Sequence, residues 1–129
     1  MPKTLNINAL GQAIDSTWGR SSTPKTASYS VKFSFMGENR LLASFKVIVN
    51  FVSEKEMILM KRSCQEESES VIAEHVKSVK ETYKQLTGDT LTLKEEKGSS
   101  SDSLEIINFN VHNPKRTAYY RRKVVFEIA

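Results

Sequence analysis

Apolar and polar residues alternate with a period of two from Ala27 to Val52. The alternation is broken once, at Gly37–Glu38–Asn39, and then resumes. A period of two places one set of side chains on a buried face and the other set in solvent, so the segment is predicted to form one long antiparallel β-hairpin. Its predicted buried face consists of Tyr29, Val31, Phe33, Phe35, Leu41, Ala43, Phe45, Val47, Val49 and Phe51.

A helical pattern follows from Glu66 to Leu86. Its apolar residues recur in steps of four and three, which places them on one face of a helix. Ser63 is predicted to cap the helix with Glu66 as its capping-box partner, and Gly88 is predicted to end it. We therefore expect one long helix packed on one face of the sheet. Its predicted buried stripe consists of Ile72, Val76, Val79, Tyr83 and Leu86.

The remaining segments supply further predicted strands. Met57–Met60 is assigned to a short strand, although four residues do not distinguish a strand from a helical turn. Thr90–Lys97, Leu104–Val111 and Thr117–Ile128 also alternate, and Lys97–Ser103 is predicted to be a flexible turn. The predicted fold class is α+β, with a mostly antiparallel sheet of five to six strands and one long helix. Residues 28–129 are predicted to form this single domain.

Residues 1–27 are predicted to form a separate N-terminal segment. Apolar residues at helical spacing predict a short helix from about Asn8 to Thr17, which Gly19 would end. The polar stretch from Arg20 to Thr26 contains a proline and is predicted to be an extended arm. We expect this arm to reach a neighbouring subunit, with Trp18 as its anchor; the alternative is that Trp18 covers the chain's own core.

Composition and charge limit the class of protein. The chain has 129 residues, 26% of them charged, and a net charge of +4, which permits an acidic partner without requiring one. It has one cysteine, Cys64, so no internal disulfide can form and a reducing compartment is expected. No apolar run is long enough to span a bilayer, and no signal peptide is recognised. We expect a cytoplasmic protein, or one assembled there into a virion, without membrane contact.

The sequence offers few groups for catalysis. His75 and His112 are the only histidines, and a pairing of Cys64 with His75 is the one nucleophile arrangement that the sequence suggests. A free cysteine is far more often a small buried hydrophobe. The acidic residues near Glu66 are expected to be a solvated helix start rather than a metal site. We therefore expect no enzyme activity, no cofactor and no bound metal.

The one cluster of interest is basic and extends from Lys115 to Lys123. Five basic residues and two tyrosines occur within nine positions, and on a strand Thr117, Tyr119, Arg121 and Lys123 would share an outward face. Arg20, Lys25, Lys32 and Lys46 would extend this face if they lie on the same outer surface. Three interpretations remain open: a solvated face, the rim of a protein contact, or a nucleic-acid contact. The candidate interaction residues are Trp18, Arg20, Lys25, Arg116, Tyr119, Arg121 and Lys123.

These observations predict a non-enzymatic structural or assembly subunit of a larger complex. Long strands and an N-terminal arm suit subunit contacts in viral (phage) particles, such as tail, neck or capsid proteins. The expected partners are other protein subunits, in a homo-oligomer or a larger assembly. The alternative is a nucleic-acid-binding module that uses the basic, tyrosine-bearing strand at 115–123.

Overall fold

The computed structural model of the protein describes residues 17–18, 29–37 and 39–129. These residues form an antiparallel sheet with four long strands, and a long helix packs on one of its faces. The strand order is β1-β2-β3-β5-β4. The elements are β1 (Thr17–Trp18), β2 (Tyr29–Met36), β3 (Arg40–Phe51), α1 (Glu54–Thr87), β4 (Ser99–Asn110) and β5 (Asn113–Glu127). The predicted α+β class is therefore confirmed.

The predicted hairpin is present as β2 and β3. Val31 lies opposite Phe45 and Phe33 opposite Ala43, so the apolar residues of both strands project to the same side of the sheet. The predicted buried residues are buried, except that Tyr29 and Phe35 are half-buried. Gly37 turns the chain with φ at 71°, a backbone conformation that glycine adopts without strain.

The helix is longer than the sequence predicted. It contains 34 residues, about 51 Å at 1.5 Å per residue, and begins at Glu54 rather than near Glu66. The prediction of a strand at Met57–Met60 is wrong, because these residues form the first turns of α1. The N-cap is Ser53, not Ser63: the backbone N–H of Glu56 donates to Ser53 Oγ at 3.2 Å.

The buried stripe of α1 explains this difference. Met60, Cys64 and Ser68 are buried and continue the stripe of Ile72 towards the N-terminus at a spacing of four. Cys64 and Ser68 are small or polar. The spacing of large apolar residues therefore does not extend the predicted helix into the first turns of α1. Gly88 ends the helix as predicted, with φ at 76°, but Leu86 is 53% exposed and does not belong to the buried stripe.

Two predictions between α1 and β5 are also wrong. Thr90–Lys97 is not a strand: it makes one isolated bridge, Leu93 with Ile128, because the chain there crosses the end of β5 before it enters β4. The predicted flexible turn at Lys97–Ser103 is largely the first part of β4, in which Ser99 pairs with Val125 and Ser103 with Arg121. Tertiary pairing with β5 outweighs the weak strand preference of serine.

Most of the N-terminal segment, for which a helix and an arm were predicted, is not described by the structure. The predicted helix at Asn8–Thr17 and the predicted arm at Arg20–Thr26 lie outside the described residues, apart from Thr17. That residue and Trp18 form β1, which pairs with Lys32 and Val31 of β2.

The core lies between α1 and one face of the sheet. Its largest fully buried side chains are Tyr120, Phe33, Phe45, Phe51 and Phe126. Val76, Val79 and Tyr83 of the helix are buried as predicted. Within the described part of the chain, no helix packs on the opposite face of the sheet, and this arrangement leaves that face open.

Candidate functional site

Three surfaces of the protein bring candidate interaction residues together. The first is the sheet face opposite α1, called here the open face. Residues that lie directly opposite each other in an antiparallel pair project to the same side, so the strand registers define which side chains belong to it. Its central part consists of Ser30, Lys32, Ser34, Leu42, Ser44, Lys46, Ser101, Ser103, Tyr119, Arg121 and Lys123.

Cations and serines alternate across the open face. In one row Lys46 lies between Ser30 and Arg121, and in the next row Ser44 lies between Lys32 and Lys123. All four of these cationic residues are exposed. A shallow depression of about 320 Å³ is lined by the four cations together with Ser30, Ser34 and Ser44. Lys32 and Lys46 therefore extend the basic cluster, as the sequence suggested.

Tyr119 borders this group of cations. The Arg121 guanidinium lies 5.2 Å from the centroid of the Tyr119 ring, a distance at which a cation and an aromatic ring attract each other. Tyr119, Arg121 and Lys123 face outward as predicted, while Tyr120, Val124 and Phe126 are buried beneath the helix.

Other candidate residues lie elsewhere. Arg116 lies opposite Phe51 on the helix side of the sheet, so the alternation of β5 separates it from Tyr119 and Arg121. Trp18 pairs through its backbone with Val31 at the edge of the sheet. Arg20 and Lys25 lie outside the described residues.

The second surface is called here the apolar end, where β3 ends, α1 begins and β4 turns into β5. Several large apolar side chains are exposed there, from 44% for Ile106 to 83% for Val111. The Arg116 guanidinium lies 4.6 Å from the centroid of the Phe109 ring. The apolar end consists of Val52, Ile58, Leu59, Ile106, Ile107, Phe109 and Val111. The alternation of the predicted strand Leu104–Val111 places Ile107, Phe109 and Val111 on one face but does not indicate that they are exposed.

The third surface is a polar cleft of about 470 Å³ between α1 and the strands β4 and β5. Arg122 reaches into it from the helix side of β5 and donates through Nη2 to Glu69 Oε1 and to Ser100 Oγ, each at 3.2 Å. Asp102 Oδ2 accepts hydrogen bonds from Gln65 Nε2 at 2.8 Å and from the Tyr120 hydroxyl at 2.9 Å. These bonds tie the helix to the edge strand.

This polar network was not predicted, although the sequence contained a signal for it. Arg122 stands between Tyr120 and Val124 in the alternation of β5, where a core-facing residue is expected. Asp102 had been interpreted as a turn residue because the serine-rich segment around it was not recognised as a strand.

The ionisation of Asp102 and Tyr120 reflects the network. Burial alone would raise the pKa of Asp102, but the hydrogen bonds from Gln65 and Tyr120 and the charges of Lys61 and Arg122 hold it below its ordinary value. Burial raises the pKa of Tyr120 to about 12. Asp102 is therefore a carboxylate and Tyr120 a neutral phenol at neutral pH.

The residues considered for nucleophilic catalysis are separated in the structure. Cys64 is fully buried, and burial raises the pKa of its thiol to about 12. His75 lies on the same helix, about 16 Å further along its axis, where its Nδ1 donates to the Val71 carbonyl oxygen at 2.8 Å. In the described ranges, no group of three or more His, Cys, Asp or Glu side chains could hold a metal ion.

Comparisons with known proteins found no matching family model, no matching curated protein and no matching solved structure. Among the described residues, no helix has both the length and the apolar character needed to span a membrane.

Proposed function

We propose that the protein is a non-enzymatic subunit of a larger protein assembly, of the kind that builds viral tails, necks or capsids. In this proposal its copies associate through the apolar end. The observation that carries the proposal is the exposure of large apolar side chains on the helix start and the β4–β5 turn.

The composition of the apolar end suits a protein contact. Scattered exposed hydrophobic residues are common on soluble proteins, but a group of them at one place marks an interaction surface. Aromatic residues and arginine are enriched at the centres of protein interfaces. Phe109 and Arg116 provide such a pair, since the guanidinium already lies over the ring.

Charges beside the apolar end favour a second copy as the partner. The first turn of α1 carries Glu54 and Glu56, and the start of β5 carries Lys115 and Arg116. A two-fold axis at this end would place the acidic residues of one copy against the basic residues of the other. With such an axis these charges would attract each other across the interface, beside the apolar contacts.

The experiment that tests this function measures particle mass by light scattering over a range of protein concentrations. The wild-type protein is expected to form a defined oligomer. The double variant Leu59→Ser, Phe109→Ser removes two apolar side chains from each copy, four in a two-fold dimer, which are worth together about 3 kcal/mol, so its dissociation constant should rise about 100-fold.

A matched control uses exposed apolar residues at the opposite end of the molecule. Met36 and Leu86 are 41% and 53% exposed, and Met36→Ser with Leu86→Ser should leave the oligomer mass unchanged. Circular dichroism should show that both double variants remain folded. A wild-type protein that is monomeric at every concentration, or equal dissociation of the two double variants, would contradict the proposal.

A further inference from the structure

The open face brings two cations together on neighbouring strands. Lys46 and Arg121 lie directly opposite each other on neighbouring strands, an arrangement that destabilises a sheet. Among the described residues, the acidic side chains on this face of β2 to β5 are Glu105, opposite Tyr119, and Glu127, opposite Arg40. Neither lies directly opposite Lys46 or Arg121, and Glu105 lies diagonally across from Arg121. An anionic ligand on this face would relieve the repulsion.

The position of these cations is not explained by protection of a sheet edge. Charged residues often prevent edge strands from pairing with other chains. Here Lys46, Arg121 and Lys123 belong to β3 and β5, which are interior strands, while the edge strand β4 carries no lysine or arginine. A role in ligand binding accounts for cations at the centre of the sheet.

The spacing and the neighbours of the cations suit a phosphate backbone. Neighbouring strands lie about 4.8 Å apart and alternate residues along a strand about 6.6 Å apart, so the cations form a continuous strip. Serine hydroxyls between them can donate to phosphate oxygens. The small serine side chains leave a shallow depression in the middle of the face, so a chain can lie across it. At the border, the Tyr119 ring can stack with a base.

We propose that the open face binds single-stranded nucleic acid through its phosphates, with Lys32, Lys46, Arg121 and Lys123 as the cationic contacts. The complementarity of charge and the shallow, serine-lined depression favour this ligand over a folded protein. The contacts involve phosphates and the face of a base, so little dependence on base sequence is expected. The inference does not depend on the proposed assembly, because the four cations are separate from the apolar end.

The experiment measures binding of a fluorescent 20-nucleotide oligothymidylate and a matched oligouridylate by anisotropy, over a series of salt concentrations. Four phosphate contacts on a single strand predict a slope of about −2.8 for log K against log salt concentration. The variant Arg121→Gln, Lys123→Gln should flatten the slope by about 1.4 and bind at least about 10-fold more weakly at low salt. Tyr119→Ala should weaken binding without changing the slope.

The matched control is Lys77→Gln with Lys94→Gln, which removes the same net charge from exposed positions outside the sheet. It should bind nearly as well as wild type. Absence of binding at low salt, or equal weakening by both double variants, would overturn the proposal. Equal displacement of the oligonucleotide by polyglutamate at the same charge concentration would also overturn it, because the face would then bind acidic protein.

Discussion

The hydroxyl of Tyr120 donates a 2.9 Å hydrogen bond to Asp102 Oδ2 on the neighbouring strand. Tyr120 is fully buried, so its hydroxyl needs a hydrogen-bond partner within the protein, and Asp102 provides one. Because Asp102 also accepts from Gln65, one carboxylate links β5, β4 and α1. The network therefore fixes where the helix lies on the sheet.

The first prediction concerns alkaline pH. The pKa of Tyr120 is raised to about 12 in the folded protein, against about 10 when unfolded. The neutral phenol contributes roughly 2–3 kcal/mol to the free energy of unfolding. This contribution is fully present below pH 10 and is lost as the pH rises towards 12. Urea unfolding between pH 8 and pH 12 should show this loss in wild type.

Two variants identify the group responsible for the alkaline loss. Tyr120→Phe should make the loss of stability above pH 10 smaller by roughly 2–3 kcal/mol, whereas Tyr119→Phe, at a half-exposed position, should not; the loss that remains in Tyr120→Phe includes that of the buried Cys64 thiol, whose pKa is also raised to about 12. Profiles of the same steepness in wild type and Tyr120→Phe would show that another group causes the loss.

The second prediction concerns the packing of the helix. Val76 lies on the buried side of α1 and is 5% exposed, so Val76→Asp would bury an unpaired charge and should lower the free energy of unfolding by more than about 3 kcal/mol. Ser78→Asp changes an exposed position on the same helix and should cost less than about 0.5 kcal/mol. Thermal unfolding of the two variants measures the difference, and an unchanged melting temperature for Val76→Asp would contradict the described packing.

The third prediction concerns the start of β4. Gly98 has φ at +60°, and a Cβ there would lie 2.6 Å from the Val125 carbonyl oxygen. Gly37 has φ at +71°, but a Cβ there would meet open space. Gly37→Ala should therefore cost about 1–2 kcal/mol of backbone strain, and Gly98→Ala clearly more. Chemical unfolding compares the pair, and equal costs would contradict the close approach at Gly98.

The β2–β3 hairpin was predictable because apolar residues alternate along both strands on either side of the Gly37 turn, and the sheet buries one face. The start of α1 was not, because the short apolar run Met57–Met60 does not distinguish a strand from a helical turn, and Cys64 is small. Local patterns predict elements well when the buried residues are large and apolar. They fail where small or polar residues are buried by tertiary packing.

The candidate surfaces also differ in how far the sequence alone predicts them. The outward face of Tyr119, Arg121 and Lys123 followed from alternation alone. The apolar end and the polar network did not, since each depends on which strands and helix turns meet in space. Arg122 illustrates the point: its partners Glu69 and Ser100 lie 53 and 22 residues away in the chain.

The most direct test of the proposed assembly measures thiol reactivity at the apolar end. The native Cys64 is buried with its pKa raised to about 12, so an introduced thiol would be the reactive one. Val111→Cys places a thiol at the apolar end, and Leu86→Cys places one at the opposite end as a control. Both positions are exposed in the single chain.

Labelling rates are compared at protein concentrations above and below the oligomer midpoint found by light scattering. Our account predicts that labelling at position 111 slows at least about tenfold on association, while labelling at position 86 does not change. Equal labelling rates at position 111 in the dilute and the associated protein would contradict the claim that the apolar end joins the copies.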